Sequence, residues 1–267
     1  MNPELRESFR STMKESFLIL MFEFLGSVIL SCLVNNYYSQ DIKDNTGLLL
    51  GIFICIIFSA RISGSHFNPA ITLSYMIGNV KHGSFDRVLG FLYIAVQVVG
   101  GILGAIFGTI YSKNIEKSSN KIELSIEPSK FVQQIILEVI ASFFLVFMYL
   151  CSTDVKTKFT KDAAIQTIIL SGSYLGAMLL AGTNMKPYMA SPVNPAIALG
   201  IVTLNLSGKN FQSGWIFLAA PFGGSVLALL FFRFIYKKTQ EQALADNEDD
   251  EHNSAGLMEA NEALITK

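Results

Sequence analysis

The sequence predicts an all-α membrane protein with six transmembrane helices, two half-helices too short to cross, and an inverted internal repeat. Three observations carry this. Apolar stretches of near-bilayer length recur along the chain, Asn-Pro-Ala occurs twice at the head of a short apolar segment, and the second half echoes the first. Composition agrees. Of 267 residues 51% are hydrophobic and only 15% charged, with a mean hydropathy of +0.44; ordinary soluble domains carry about 25% charged residues.

A crossing helix needs roughly 20 mainly apolar residues. The predicted spans are 17–34, 47–60, 88–111, 131–151, 163–181 and 215–236. The second is short, and its place in the series is what argues for a span. The first follows a polar segment of mixed charge with no small-residue cleavage site after it, which fits a span better than a removed leader. Segments 68–77 and 194–204 are apolar but too short to cross. Short hydrophobic pieces at matching places in two halves point to a site inside the membrane.

Residues 1–16 are expected to form a cytoplasmic N-terminal segment and residues 17–237 the channel domain. Its repeats run over about 17–111 and 131–236, and an acidic, disordered cytoplasmic tail follows over 238–267. Basic residues are biased toward the side carrying both termini, although the loop 112–130 is basic as well. This predicts a multi-pass protein with cytoplasmic termini, in a plasma or an intracellular membrane. A net charge of -1 and the lack of a basic, aromatic-interleaved face give no footing to a nucleic-acid partner. Cys32, Cys55 and Cys151 lie in apolar runs without metal-ligand spacing, so no metal or cofactor is expected. No nucleophile with a base and no phosphate loop supports an enzyme.

The repeat supplies the chemistry. Glu23-Phe24-Leu25-Gly26 is echoed by Glu138-Val139-Ile140-Ala141, and Asn68-Pro69-Ala70 by Asn194-Pro195-Ala196. Three spans per half is an odd number, so the halves sit upside down to one another and the short segments enter from opposite faces. Asn is a favoured N-cap and Pro suits the first helical position. Two half-helices meeting at their N-termini would aim positive dipoles and two amides at one spot. A water or hydroxyl accepts those bonds, whereas a cation loses hydration and is repelled.

These residues resemble the aquaporin (major intrinsic protein) family. The matching run is Ile62-Ser63-Gly64-Ser65-His66-Phe67-Asn68-Pro69-Ala70-Ile71-Thr72, with Val193-Asn194-Pro195-Ala196 in the second half. Gln97, Thr153-Asp154, Trp215-Ile216-Phe217 and Pro221-Phe222-Gly223-Gly224 add to it, over about 17–237. The resemblance implies an aquaporin-like right-handed bundle, a homotetramer in the lipid bilayer with one pore per subunit, and passage of water or small uncharged solutes. It implies that Glu23 and Glu138 brace the half-helix loops as acceptors. It places His66 in the inner vestibule, a satisfied structural histidine being the alternative.

The chain departs from the family at the outer filter, where Ile197 stands in place of the usual arginine. Counting carries the other filter positions to Leu48, Ser191 and either Met178 or Gly182. Such a filter is apolar and uncharged. It leaves the substrate open between water and glycerol, urea or ammonia, and leaves room for a poorly conducting or structural member. Lys186, in a long loop, is a candidate to restore the missing charge, against the plainer reading of a solvated lysine. Ser191 corresponds to the residue that confers mercurial block in many water channels and carries no thiol. Glycines recurring every four residues, Gly100, Gly104 and Gly108, then Gly172 and Gly176, read as close-packing faces.

Overall fold

The computed structural model describes residues 3–40, 44–78, 87–116, 124–185, 190–204 and 209–246. In chain order its α-helices are α1 (Pro3–Ser39), α2 (Asn45–Ser59), α3 (Pro69–Gly78), α4 (Arg87–Glu116), α5 (Phe131–Thr153), α6 (Ala163–Ala181), α7 (Pro195–Leu204) and α8 (Lys209–Phe231). A π turn (Phe232–Tyr236) follows α8, and helix then continues to residue 246.

Among the described residues, five helices are long and apolar enough to cross a membrane. The exception is α2, whose 15 residues rise about 22 Å at 1.5 Å each, short of a hydrocarbon core of about 30 Å. It begins where Asp44 caps it by accepting the Gly47 N–H at 2.8 Å. The half-helices α3 and α7 have ten residues each, about 15 Å apiece. End to end they cover one bilayer core.

Both termini carry more helix than the sequence reading expects. α1 starts at Pro3, inside the segment 1–16, because Pro suits a first turn and the Glu-, Arg- and Lys-rich stretch after it holds good helix formers. At the other end the expected disordered tail is helical up to residue 246. That extension is tied to the α5–α6 connection by two ion pairs, Lys237 with Asp154 and Lys156 with Glu241, the latter at 2.9 Å. The Glu241 carboxylate holds the Lys156 amine above its ordinary pKa. Residues 247–267 lie outside the described set.

The halves pack alike. α1 lies along α4 as α5 lies along α8, while α3 contacts α8 and α4, and α7 contacts α4 and α8. Glycine makes the close approaches possible. A Cβ on Gly104 would sit 2.2 Å from the Val28 carbonyl oxygen, and one on Gly224 2.3 Å from that of Val139. Gly100 and Gly108 press on α1 in the same way, as their spacing predicts. Gly172 and Gly176 do not, since a Cβ on either would meet nothing within 4 Å among the described residues. Outward faces are apolar, with Phe91, Val132 and Ile168 all exposed. Such a surface suits lipid rather than water.

Candidate functional site

Each half-helix starts as its tripeptide predicts. The Asn68 Oδ1 accepts the Ala70 N–H at 2.9 Å, and its backbone carbonyl accepts the Thr72 N–H at 3.0 Å. Asn194 repeats the pattern on Ala196 and Ala198, both at 2.9 Å. Pro69 and Pro195 occupy the first helical position, where no N–H is needed.

The residue before each asparagine is left-handed, with φ of 48° at Phe67 and 47° at Val193. A β-branched valine rarely tolerates this, and such a conformation costs about 1–3 kcal/mol. Its use is visible in the bonds between the loops. The Asn68 Nδ2 donates to the Val193 carbonyl at 2.9 Å, and the Asn194 Nδ2 donates to the Phe67 carbonyl at 2.8 Å. Each strained residue thus presents its carbonyl to the other loop's asparagine. The two caps meet, reciprocally bonded and fully buried.

Glu23 fastens the first loop. Its Oε1 accepts the Ser63 hydroxyl at 2.6 Å and the His66 N–H at 3.0 Å. Its Oε2 accepts the Phe67 N–H and the Gln97 side-chain amide, each at 2.8 Å. Glu138 does less. Its Oε1 accepts the Ser191 hydroxyl and the Gln134 amide, the latter at 3.1 Å, while Oε2 has no partner among the described residues. The brace expected on backbone N–H groups is therefore present in the first loop and replaced by a hydroxyl contact in the second. Two substitutions supply the reason. Two residues before each asparagine stand His66 and Pro192, and proline has no N–H to donate; the next N–H, that of Val193, is directed at the Ser191 hydroxyl at 3.4 Å. Gln97, the side-chain donor to Glu23, is matched by Pro221, since Gly100 meets Phe24 and Gly224 meets Val139.

The expected filter residues are all buried. Leu48, Met178 and Ile197 belong to one apolar cluster. The Ser191 N–H donates to the Met178 carbonyl at 2.8 Å, so the second loop runs beside the last full turn of α6. Of the two span-five options, Met178 stands level with Ser191. Gly182 lies beyond it, at the C-cap where a short 3-10 turn begins. Ser191 turns its hydroxyl to Glu138.

Two inverted repeats, each with an Asn-capped half-helix held by a buried glutamate, match a known profile. The description "Major intrinsic protein" fits residues 4–232. The chain belongs to the major intrinsic protein family. Among its relatives, Aquaporin TIP1-1 of Arabidopsis thaliana is 26% identical over 72% of this chain and 71% of its own length. Aquaporin-6 of Rattus norvegicus is 30% identical over 70% of this chain and 63% of its own length. The aquaglyceroporin of Plasmodium falciparum, a solved structure, superposes with a TM-score of 0.66 at 20% identity, over 85% of this chain and 99% of that one. The fold is therefore that of the family: a multi-pass helical channel protein.

His66, which family resemblance assigns to a vestibule, is packed between Tyr75 and Tyr93, with ring centroids at 4.4 Å and 5.4 Å, and its Nδ1 lies 3.2 Å from the Thr72 hydroxyl. These contacts fit the structural alternative. Lys186 lies outside the described residues. Sequence reasoning misses Tyr174, on α6 one turn before Met178. Its hydroxyl accepts a bond from the Asn194 amide at 2.9 Å. A signal was available, since a tyrosine inside an apolar span needs a partner for its hydroxyl.

Proposed function

We propose that this family member is a passive channel for water and small uncharged solutes, excluding ions where Asn68 and Asn194 meet. The observation that carries this is the reciprocal bond between each asparagine and the residue preceding the other. It brings both half-helix N-termini to one place, each worth about half a positive charge. A cation arriving there meets like-signed dipoles, whereas a neutral solute accepts an amide hydrogen. The relatives named aquaporins support the same reading.

Leu48, Met178 and Ile197 are proposed as the outer filter, with Ser191 contributing its backbone beside Met178. Without an arginine this filter offers no cation to hold water, and its apolar walls favour ammonia, urea or glycerol relative to an arginine-bearing filter. A homotetramer is proposed on a different ground. Among the described residues the Gly172–Gly176 face of α6 has nothing packed on it, and small-residue faces let helices of neighbouring subunits approach closely. Cytoplasmic termini follow from the basic-residue bias.

The test is osmotic swelling of proteoliposomes, followed by light scattering, with water, glycerol, urea and ammonia in parallel. The proposal expects fluxes proportional to the gradient, unaffected by any ion gradient. Saturating flux coupled to sodium or protons would instead point to a transporter.

A further inference from the structure

An amide nitrogen carries two hydrogens. On Asn68 and Asn194 one of each is committed to the opposite loop's carbonyl. Only the second can greet a solute. On Asn194 that second hydrogen is taken, because its Nδ2 also donates to the Tyr174 hydroxyl at 2.9 Å. The geometry is that of a permeant: a hydroxyl oxygen accepting from the cap amide where a water would.

Burial agrees. Asn68 and Asn194 are each 0% exposed and Tyr174 1%. Among the described residues no opening wide enough for water touches either amide. The level above is also closed, with Met178 at 0% and Ile197 at 1%. These are apolar chains that hold no hydrogen bond with their side chains. At the caps the obstruction is polar and latched.

We propose that Tyr174 is the central gate of this channel, its hydroxyl latched on Asn194 so that solute passes only when the latch is exchanged. The proposal rests on the channel reading given above and adds the residue that limits its conductance. The exchange is local: the incoming solute replaces the hydroxyl as acceptor, and the ring turns on α6 to let it by. No covalent bond changes.

Wild type, Tyr174→Phe and Tyr174→Val are reconstituted at equal protein per vesicle, and water permeability is read by stopped-flow light scattering. Size-exclusion chromatography confirms that each variant is folded, and the phenylalanine variant keeps the ring in case the smaller residue harms packing. Removing the latch alone should raise water permeability about five-fold, the Boltzmann weight of one ordinary hydrogen bond. Removing the ring as well should raise it at least as much and increase urea flux in parallel. Equal permeability in all three, above protein-free vesicles, overturns the gate and leaves the channel. An increase for valine with none for phenylalanine overturns the latch. Permeability at the protein-free level in all three overturns both gate and channel.

Discussion

Exchanging each bracing glutamate for glutamine separates the two halves of the molecule. In Glu23 both oxygens face donors: the Ser63 hydroxyl and His66 N–H on one, the Phe67 N–H and Gln97 amide on the other. Whichever oxygen becomes an NH2, it meets a backbone N–H that has nowhere else to go. Bonds to a charged acceptor are worth about 1.5–3 kcal/mol each, and Glu23→Gln loses two of them, about 3–6 kcal/mol. In Glu138 the new NH2 can take the place of Oε2, which has no described partner, while Oε1 keeps Ser191 and Gln134. One unpaired group replaces another, so Glu138→Gln should cost under about 1 kcal/mol. At about 2 °C per kcal/mol for a chain of this size, thermal unfolding in detergent should fall roughly 10 °C for Glu23→Gln and by 2 °C or less for Glu138→Gln. Equal losses, or a larger loss for Glu138→Gln, would refute the assignment of the two braces.

Gly104→Leu should prevent folding, since a Cβ there already meets the Val28 carbonyl at 2.2 Å. Gly172→Leu should leave the subunit folded and shift the assembly toward monomer, as read by size-exclusion chromatography with light scattering. Low concentrations of mercurial should leave water flux unchanged, because Ser191 has no thiol, Cys55 and Cys151 are buried, and the half-buried Cys32 lies on α1 away from the filter residues; inhibition in a stopped-flow assay that persists in Cys32→Ser would count against the filter assignment. Glu241→Lys should free the helical extension, made visible by faster proteolysis after residue 237, with little change in overall stability because the pair is exposed.

What could be read from sequence follows rules that act over a few residues. The Asn-Pro-Ala caps, the length of the half-helices and the close packing of Gly100, Gly104 and Gly108 all come from local chemistry plus the repeat. So does Glu23 as a brace, since a buried carboxylate must find donors. The asymmetry of Glu138 was legible in part: Pro192, two residues before Asn194, has no N–H where His66 has one, whereas Pro221 standing where Gln97 stands in the other half is a correspondence fixed only by helix packing. The proposal of Met178 rather than Gly182 rests on the Ser191 contact, because the loop between α6 and α7 breaks any count. The outward Gly172 and Gly176 have the spacing of a packed face, and spacing alone does not tell an internal neighbour from an external one. Tyr174 was marked only by the need of a buried hydroxyl for a partner, and nothing in the sequence names Asn194 as that partner.

The most direct test replaces both cap amides by carboxylates, Asn68→Asp with Asn194→Asp, and reads osmotic water permeability and ionic current on the same proteoliposomes. Wild type should carry water above protein-free vesicles without current. The double variant, with acceptors where donors stood and negative charge at the dipole ends, should lose water flux and admit cations. A double variant with wild-type water flux and no current would contradict the account.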